Sequence, residues 1–298
     1  MTSRPALSGA AGALVIAFSA ILVRLAHVSP ETAAVFRCVY ALPALGLLAW
    51  IERQRYGPRD SRDRLVAMSA GVFFAVDLIC WHHSIAAVGA GLATVLANVQ
   101  VVLVGVLAWL LLGERPERRA VISVPVVLAG VVLISGVVGA GAYGKDPVLG
   151  VVYGLATALT YSGFLLILRR GNTDLRRPAG PLFDATLSSA VICLLAGWAI
   201  GTLDLVPGRE AQAWLITLAL SSQVLGWLLI SVSLPRLPAL LTSIVLTIQP
   251  VGSVLLGVVL LGEHPSGIQL AGVAVVLSGV ILATVRVPTR DAEPAPVG

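Results

Sequence analysis

Charge is what this sequence has least of. Only 12% of its 298 residues are Asp, Glu, Lys or Arg, about half the share found in soluble domains. So few charges exclude a soluble globular domain, a disordered chain, a coiled coil and a nucleic-acid-binding module. Cysteine is scarce too. Cys38, Cys80 and Cys193 lie far apart inside apolar runs, which excludes a disulfide framework or a cysteine metal site. Enzyme signatures are missing as well: no G-x-x-x-x-G-K-[ST], H-E-x-x-H or G-x-S-x-G occurs, so nothing supports ATP-driven work. Gly139–Gly144 matches G-x-G-x-x-G, but it follows an apolar helix rather than a strand. Asp60 and Asp63 have D-x-x-D spacing amid five arginines, which reads as a basic loop.

What fills the space is apolar. The hydrophobic fraction is 57%, the mean hydropathy is +0.94, and there are 30 Gly and 17 Pro, residues that membrane helices tolerate better than soluble ones. The solvent is lipid. Runs of about 20 apolar residues, the length that crosses a bilayer, fall at 7–28, 31–51, 65–86, 89–112, 118–139, 147–169, 181–203, 211–233, 238–262 and 267–286. The first is too long for the core of a signal peptide and reads as a spanning anchor.

The net charge of +5 encodes orientation rather than acidic partners. With the N-terminus inside, every one of the 20 basic residues except Arg24, Arg37, Lys145 and Arg209 falls on the inner side. Ten spans with both termini cytoplasmic satisfy the positive-inside rule.

A displacement of 149 residues aligns 84–133 with 233–282, with about 18 of 50 positions identical. Gln100 answers Gln249, and Leu-Leu-Gly-Glu-Arg-Pro (111–116) answers Leu-Leu-Gly-Glu-His-Pro (260–265). Two halves, 1–143 and 144–298, then carry five spans each. An odd number forces opposite orientations, a transporter signature that places the solute site between the halves near the midplane.

These features resemble the EamA-type transporters of the drug/metabolite transporter superfamily. The likeness rests on the ten spans, the paired Gly-Glu turns, Phe18-Ser19-Ala20 to Arg24-Leu25-Ala26, and Phe36-Arg37. Asp77-Leu78 to Trp81-His82, running into Ala97-Asn98, adds to it. The resemblance implies an all-helical carrier of a bacterial inner membrane, often an exporter of amino acids or related metabolites. Spans 1, 3, 4, 6, 8 and 9 would line its cavity. Arg37 has no arginine counterpart in span 7, so any role for it is asymmetric.

Polar residues inside the spans carry the functional expectation, because an ionisable group at that depth is costly. Asp77 sits midway along span 3. On a helix Cys80, Trp81 and Ser84 lie within about 60° of it. His82 and His83 point away, at roughly +140° and −120°. Gln223 and Trp227 in span 8 repeat the i, i+4 spacing of Asp77 and Trp81, so the two tryptophans predict an aromatic platform. Further i, i+4 pairs are Thr94–Asn98, Thr157–Tyr161 and Ser243–Thr247. Arg37 is deep enough to hold a substrate carboxylate or a helix carboxyl end, whereas Arg24 reads as snorkelling to headgroups. Spans 5 and 10 are nearly pure Val, Leu, Ala and Gly, a packing or dimer face. Glu114 and Glu263 follow a capping Gly and read as structural turns.

The expected site is therefore Arg37, Asp77, Trp81, Ser84, Thr94, Asn98, Thr157, Tyr161, Gln223, Trp227 and Thr247, with no cofactor and no metal. The expected partners are a small solute and the bilayer, not nucleic acid, in a monomer or homodimer. A passive facilitator and an intramembrane lipid-modifying enzyme using Asp77 and a histidine are the competing readings.

Overall fold

Apolar runs in lipid must satisfy every backbone N–H and C=O internally, and helices do so. The computed structural model describes residues 3–113, 118–171, 174–233 and 239–284. Among them every regular element is helical. The elements are α1 (Ser3–Ala26), α2 (Pro30–Tyr56), α3 (Ser61–Val88), α4 (Ala90–Ala97), α5 (Gln100–Leu112), α6 (Arg118–Ile134), α7 (Pro147–Gly171) and α8 (Ala179–Ile200). Then follow α9 (Arg209–Leu218), a π-helix (Ala219–Gly226), α10 (Trp227–Ser233), α11 (Ala239–Leu261) and α12 (Gly267–Thr284). Joining α4 to α5, and α9 through the π-helix to α10, gives the ten rods that the sequence predicts. By length and composition seven helical segments are apolar enough to cross a membrane, and three shorter apolar stretches lie at Val121–Ile134, Thr247–Leu261 and Gly267–Ala283. The first Gly-Glu turn, with Glu114 and Pro116, lies outside the described residues.

Rod 4 differs from expectation. The run 89–112 is predominantly apolar and holds no Pro or charge, yet the helix stops at Asn98–Val99. The Asn98 amide Nδ2 donates to the Thr94 carbonyl at 2.9 Å. Around it the backbone tightens to i→i+3 bonds, from Val99 N to Leu96 O (3.1 Å) and from Val101 N to Asn98 O (3.1 Å). A short polar side chain that competes for helix carbonyls breaks the ladder. The eighth rod departs as well, widening to i→i+5 spacing over Ala219–Gly226.

The rods pair across the chain. Dominant contacts join α3 with α7 and α8, α2 with α8, α6 with α12, and α11 with α1 and α4. Spans 5 and 10, read as a packing or dimer face, are α6 and α12 and pack on each other. Close approach explains their glycines: a Cβ at Gly130 would lie 2.8 Å from the Gly272 carbonyl oxygen. Small residues let membrane helices touch backbone to backbone.

The second Gly-Glu turn does more than end its helix. Glu263 is buried, and its two carboxylate oxygens accept from Ala90 N at 2.6 Å and Gly91 N at 3.1 Å. It thus caps the start of α4 from the end of α11, satisfying two orphan donors and the positive end of that helix. Glu52 does the same for α8, accepting from Ala179 N and Gly180 N at 2.9 and 2.8 Å.

Candidate functional site

Four of the rods around the centre are irregular. The α4–α5 break, the π-helix, Pro250 within α11 and Pro43 within α2 each disturb a regular ladder. Pro deletes one hydrogen bond, and π-turns in helices gather at functional sites. Between these rods lies a central cavity of about 60 Å³. Of the expected residues, Arg37, Asp77, Trp81, Thr94, Asn98, Thr157, Tyr161 and Trp227 line it. They come from α2, α3, α4 with its break, α7 and α10.

Three expected residues point elsewhere. Ser84 donates its hydroxyl to the Gly150 carbonyl at 2.8 Å, tying α3 to α7. Gln223 is fully buried behind the wall, where its Oε1 accepts from Arg37 Nε at 3.0 Å and its Nε2 donates to Thr186 Oγ1 at 3.2 Å. Its i, i+4 relation to Trp227 suggested a shared face; the π-helix turns it away, since more residues fill each turn there. Thr247 is half-buried on α11 and does not line the cavity. The side chain of Ser243 lies outside the described residues.

The structure also brings in residues that helical spacing did not select. Ser19 from α1 and Gln249 from α11 line the cavity with Ile16, Phe74, Leu78 and Ala97. Gln249 carried a signal, its match to Gln100 across the repeat. Ser19 carried one only through the Phe18-Ser19-Ala20 resemblance. Ser19 Oγ and Thr157 Oγ1 are buried without a hydrogen-bond partner among the described residues. Unpaired buried hydroxyls are uncommon and call for a reason.

Charge and aromatic surface meet here. The guanidinium of Arg37 lies over the Trp81 ring, 5.5 Å from its centroid. It shares the cavity with the Asp77 carboxylate, to which no ion pair or hydrogen bond is made among the described residues. The face of Trp81 is therefore already covered by a cation. Trp227 is held edge-on by Phe74, Tyr161 and Phe164, at centroid distances of 6.0, 5.9 and 5.5 Å, a geometry favoured by ring quadrupoles.

The histidines are structural. His82 Nδ1 lies 3.0 Å from the Pro30 carbonyl, and His83 Nε2 lies 2.8 Å from Glu31 Oε1. They tie the C-terminal part of α3 to the start of α2 and do not line the cavity. Arg24, read as snorkelling, lines a second, peripheral cleft with Lys145 and His264.

Comparison with known proteins fits this architecture. Residues 4–136 and again 148–285 match the EamA-like transporter family. The chain belongs to that family. A Bacillus subtilis (strain 168) protein named uncharacterized transporter YetK is 24% identical over 234 residues, covering 78% of this chain and 70% of that protein. One solved crystal structure superimposes with a TM-score of 0.63 at 21% identity, over 95% of this chain and 97% of the other, which is a likeness of fold. The protein is thus a multi-pass membrane transporter of small molecules, and these relationships point away from an enzyme.

Proposed function

We propose that this transporter carries an amino acid or closely related metabolite out of the cell, by alternating access around the central cavity. The observation that carries the reading is the presence, in one central cavity, of both the Arg37 guanidinium and the Asp77 carboxylate. A guanidinium is matched to a carboxylate, and Asp77 is matched to an ammonium group. The unpaired hydroxyls of Ser19 and Thr157 offer further hydrogen bonds, and Trp227 and Tyr161 supply apolar wall. The site residues named from sequence that line the cavity are assigned to the solute; Gln223 acts behind them by orienting Arg37.

Size supports motion. Small-molecule pockets have about 300 Å³ or more, against the roughly 60 Å³ seen here. A solute enters only when the surrounding rods separate. Rod pairing agrees with two inverted halves, 1–143 and 144–298: α3 packs on α7 as the eighth rod packs on α1, and α4 and α5 pack on α7 as α11 packs on α1. The placement of arginines favours the bacterial inner membrane with both termini cytoplasmic.

The test is counterflow in proteoliposomes, with labelled amino acids, organic cations and organic acids, with and without a proton gradient. Zwitterions should exchange, and neither pure cations nor pure anions should compete well. Asp77→Asn should lose the response to the gradient. If it matches wild type at every pH, Asp77 has no coupling role and the carrier is a facilitator.

A further inference from the structure

A second concave site lies away from the central cavity, on the arginine-rich face. It is a groove of about 410 Å³ between α2, the start of α3 and the start of α8. Along α2 the lining residues Gly46, Trp50 and Arg53 follow one another by about a turn each, so the wall changes from small and apolar to aromatic to cationic over about 10 Å. Phe183 of α8 faces Gly46 across the floor, where a Cβ would lie 3.2 Å from the Phe183 ring. Trp50 is 56% exposed on the wall of the groove. Exposed tryptophan is at home where acyl chains give way to headgroups.

The rim carries more positive charge than the groove can neutralise. Arg53, Arg59 and Arg64 share one lining carboxylate, Asp184. Asp184 Oδ2 takes Arg59 Nη1 at 2.6 Å and Arg64 Nε at 3.7 Å. Nearby Glu52 is committed to the first amides of α8. Other arginines of this face are also engaged. Arg177 donates to the carbonyls of Tyr56 and Gly57 at the end of α2. Arg176 pairs with Asp174, whose carboxyl its hydrogen bonds hold down to about 2. Arg53 is exposed, and its side chain has no hydrogen bond or ion pair among the described residues.

The geometry points to a site for the headgroup of an anionic phospholipid, with the phosphate at Arg53 and Arg64 and an acyl chain running down past Trp50 toward Gly46 and Phe183. Basic pockets between membrane helices suit anionic headgroups. A soluble phosphate would meet the same arginines, but it would use only the rim. The lipid uses the whole gradient from cationic to apolar wall, and this commits the site to the bilayer. Because α2 and α3 meet α8 here, a bound lipid bridges segments far apart in sequence. The inference needs only that the chain spans a membrane and is independent of the solute proposed above.

The test uses the purified full chain in neutral detergent. Native mass spectrometry reads retained phosphatidylglycerol against phosphatidylcholine, and thermal shift reads the effect of each lipid, of inorganic phosphate and of glycerol phosphate. Phosphatidylglycerol should be retained in preference and should raise the melting temperature. Arg53→Gln should weaken that retention by about fivefold, while Arg62→Gln, outside the groove, leaves it unchanged. Trp50→Ala should weaken the lipid as well. All three positions are exposed, and matched elution on gel filtration verifies folding. Equal retention of the two lipids overturns the proposal, as does an equal effect of Arg53→Gln and Arg62→Gln. Stabilisation by inorganic or glycerol phosphate as strong as by the lipid makes this a soluble-phosphate site and overturns it too.

Discussion

Arg37 shows how one residue changes meaning once its neighbours are known. From sequence it is a deep arginine with a use for a carboxylate. In the fold it bonds Gln223 behind it, stacks over Trp81 beside it and faces Asp77 across the cavity. Thr186 of α8 holds the same Gln223 from its other side. Lysine keeps the charge but loses the planar fork and the stacking. Arg37→Lys should raise the KM for carboxylate-bearing solutes about tenfold, the factor carried by a charged hydrogen bond of about 1.5 kcal/mol, as read by initial-rate counterflow. Ser19→Ala and Thr157→Ala remove hydroxyls with no hydrogen-bond partner among the described residues. Thermal stability should stay within about 0.5 kcal/mol of wild type, while solute affinity falls. A large drop in melting temperature for either would make the hydroxyl structural. Trp227→Ala is the opposite case. It empties a pocket walled by three aromatic rings, and unfolding studies should show a loss of about 3–5 kcal/mol.

At the scale of elements, the telling features are the interruptions. Discontinuous rods at the solute site are common among transporters, and here the break at Asn98, the π-helix and Pro250 occur in the fourth, eighth and ninth rods. Ten rods were legible because lipid demands long apolar runs, and their ends because arginine, Gly and Pro mark them. The break at Asn98 was not legible. The run 89–112 holds two amides, Asn98 and Gln100, among mostly aliphatic residues, and whether Asn98 points out or back to the Thr94 carbonyl depends on the cavity beside it. Glu263 was read as the end of a turn, and it is a cap for another helix. Its two bonds to Ala90 and Gly91 predict that Glu263→Ala lowers stability by about 0.5–2 kcal/mol, measurable as a fall in melting temperature. Gln at this position can still accept one bond and should recover part of the loss.

At the scale of the whole molecule, the placement of arginines predicts orientation, and five rods in each half predict inverted symmetry. Single cysteines that replace Arg62 and Arg176 should react with an impermeant maleimide only from the cytoplasmic side. Replacements of Lys145 and Glu210 should react only from outside. Labelling of all four from one side would end both the ten-span inverted arrangement and the reading of the arginines. The α6–α12 pair is a packed support remote from the cavity, so Gly130→Leu should destabilise the fold by separating backbones in contact and leave the solute preference unchanged.

Composition by itself determined that lipid is the solvent, how many rods there are and which polar residues are buried in them, because burial of apolar surface and orientation by charge are written residue by residue. Helical periodicity also determined which side chains share a face with Asp77. It did not determine which faces meet. Ser84 and Gln223 went to neighbouring helices, and Ser19 and Gln249 came into the cavity. That choice belongs to tertiary structure, since a rod's sequence fixes the direction of each side chain about its own axis, while its partner is fixed only when all the rods are packed.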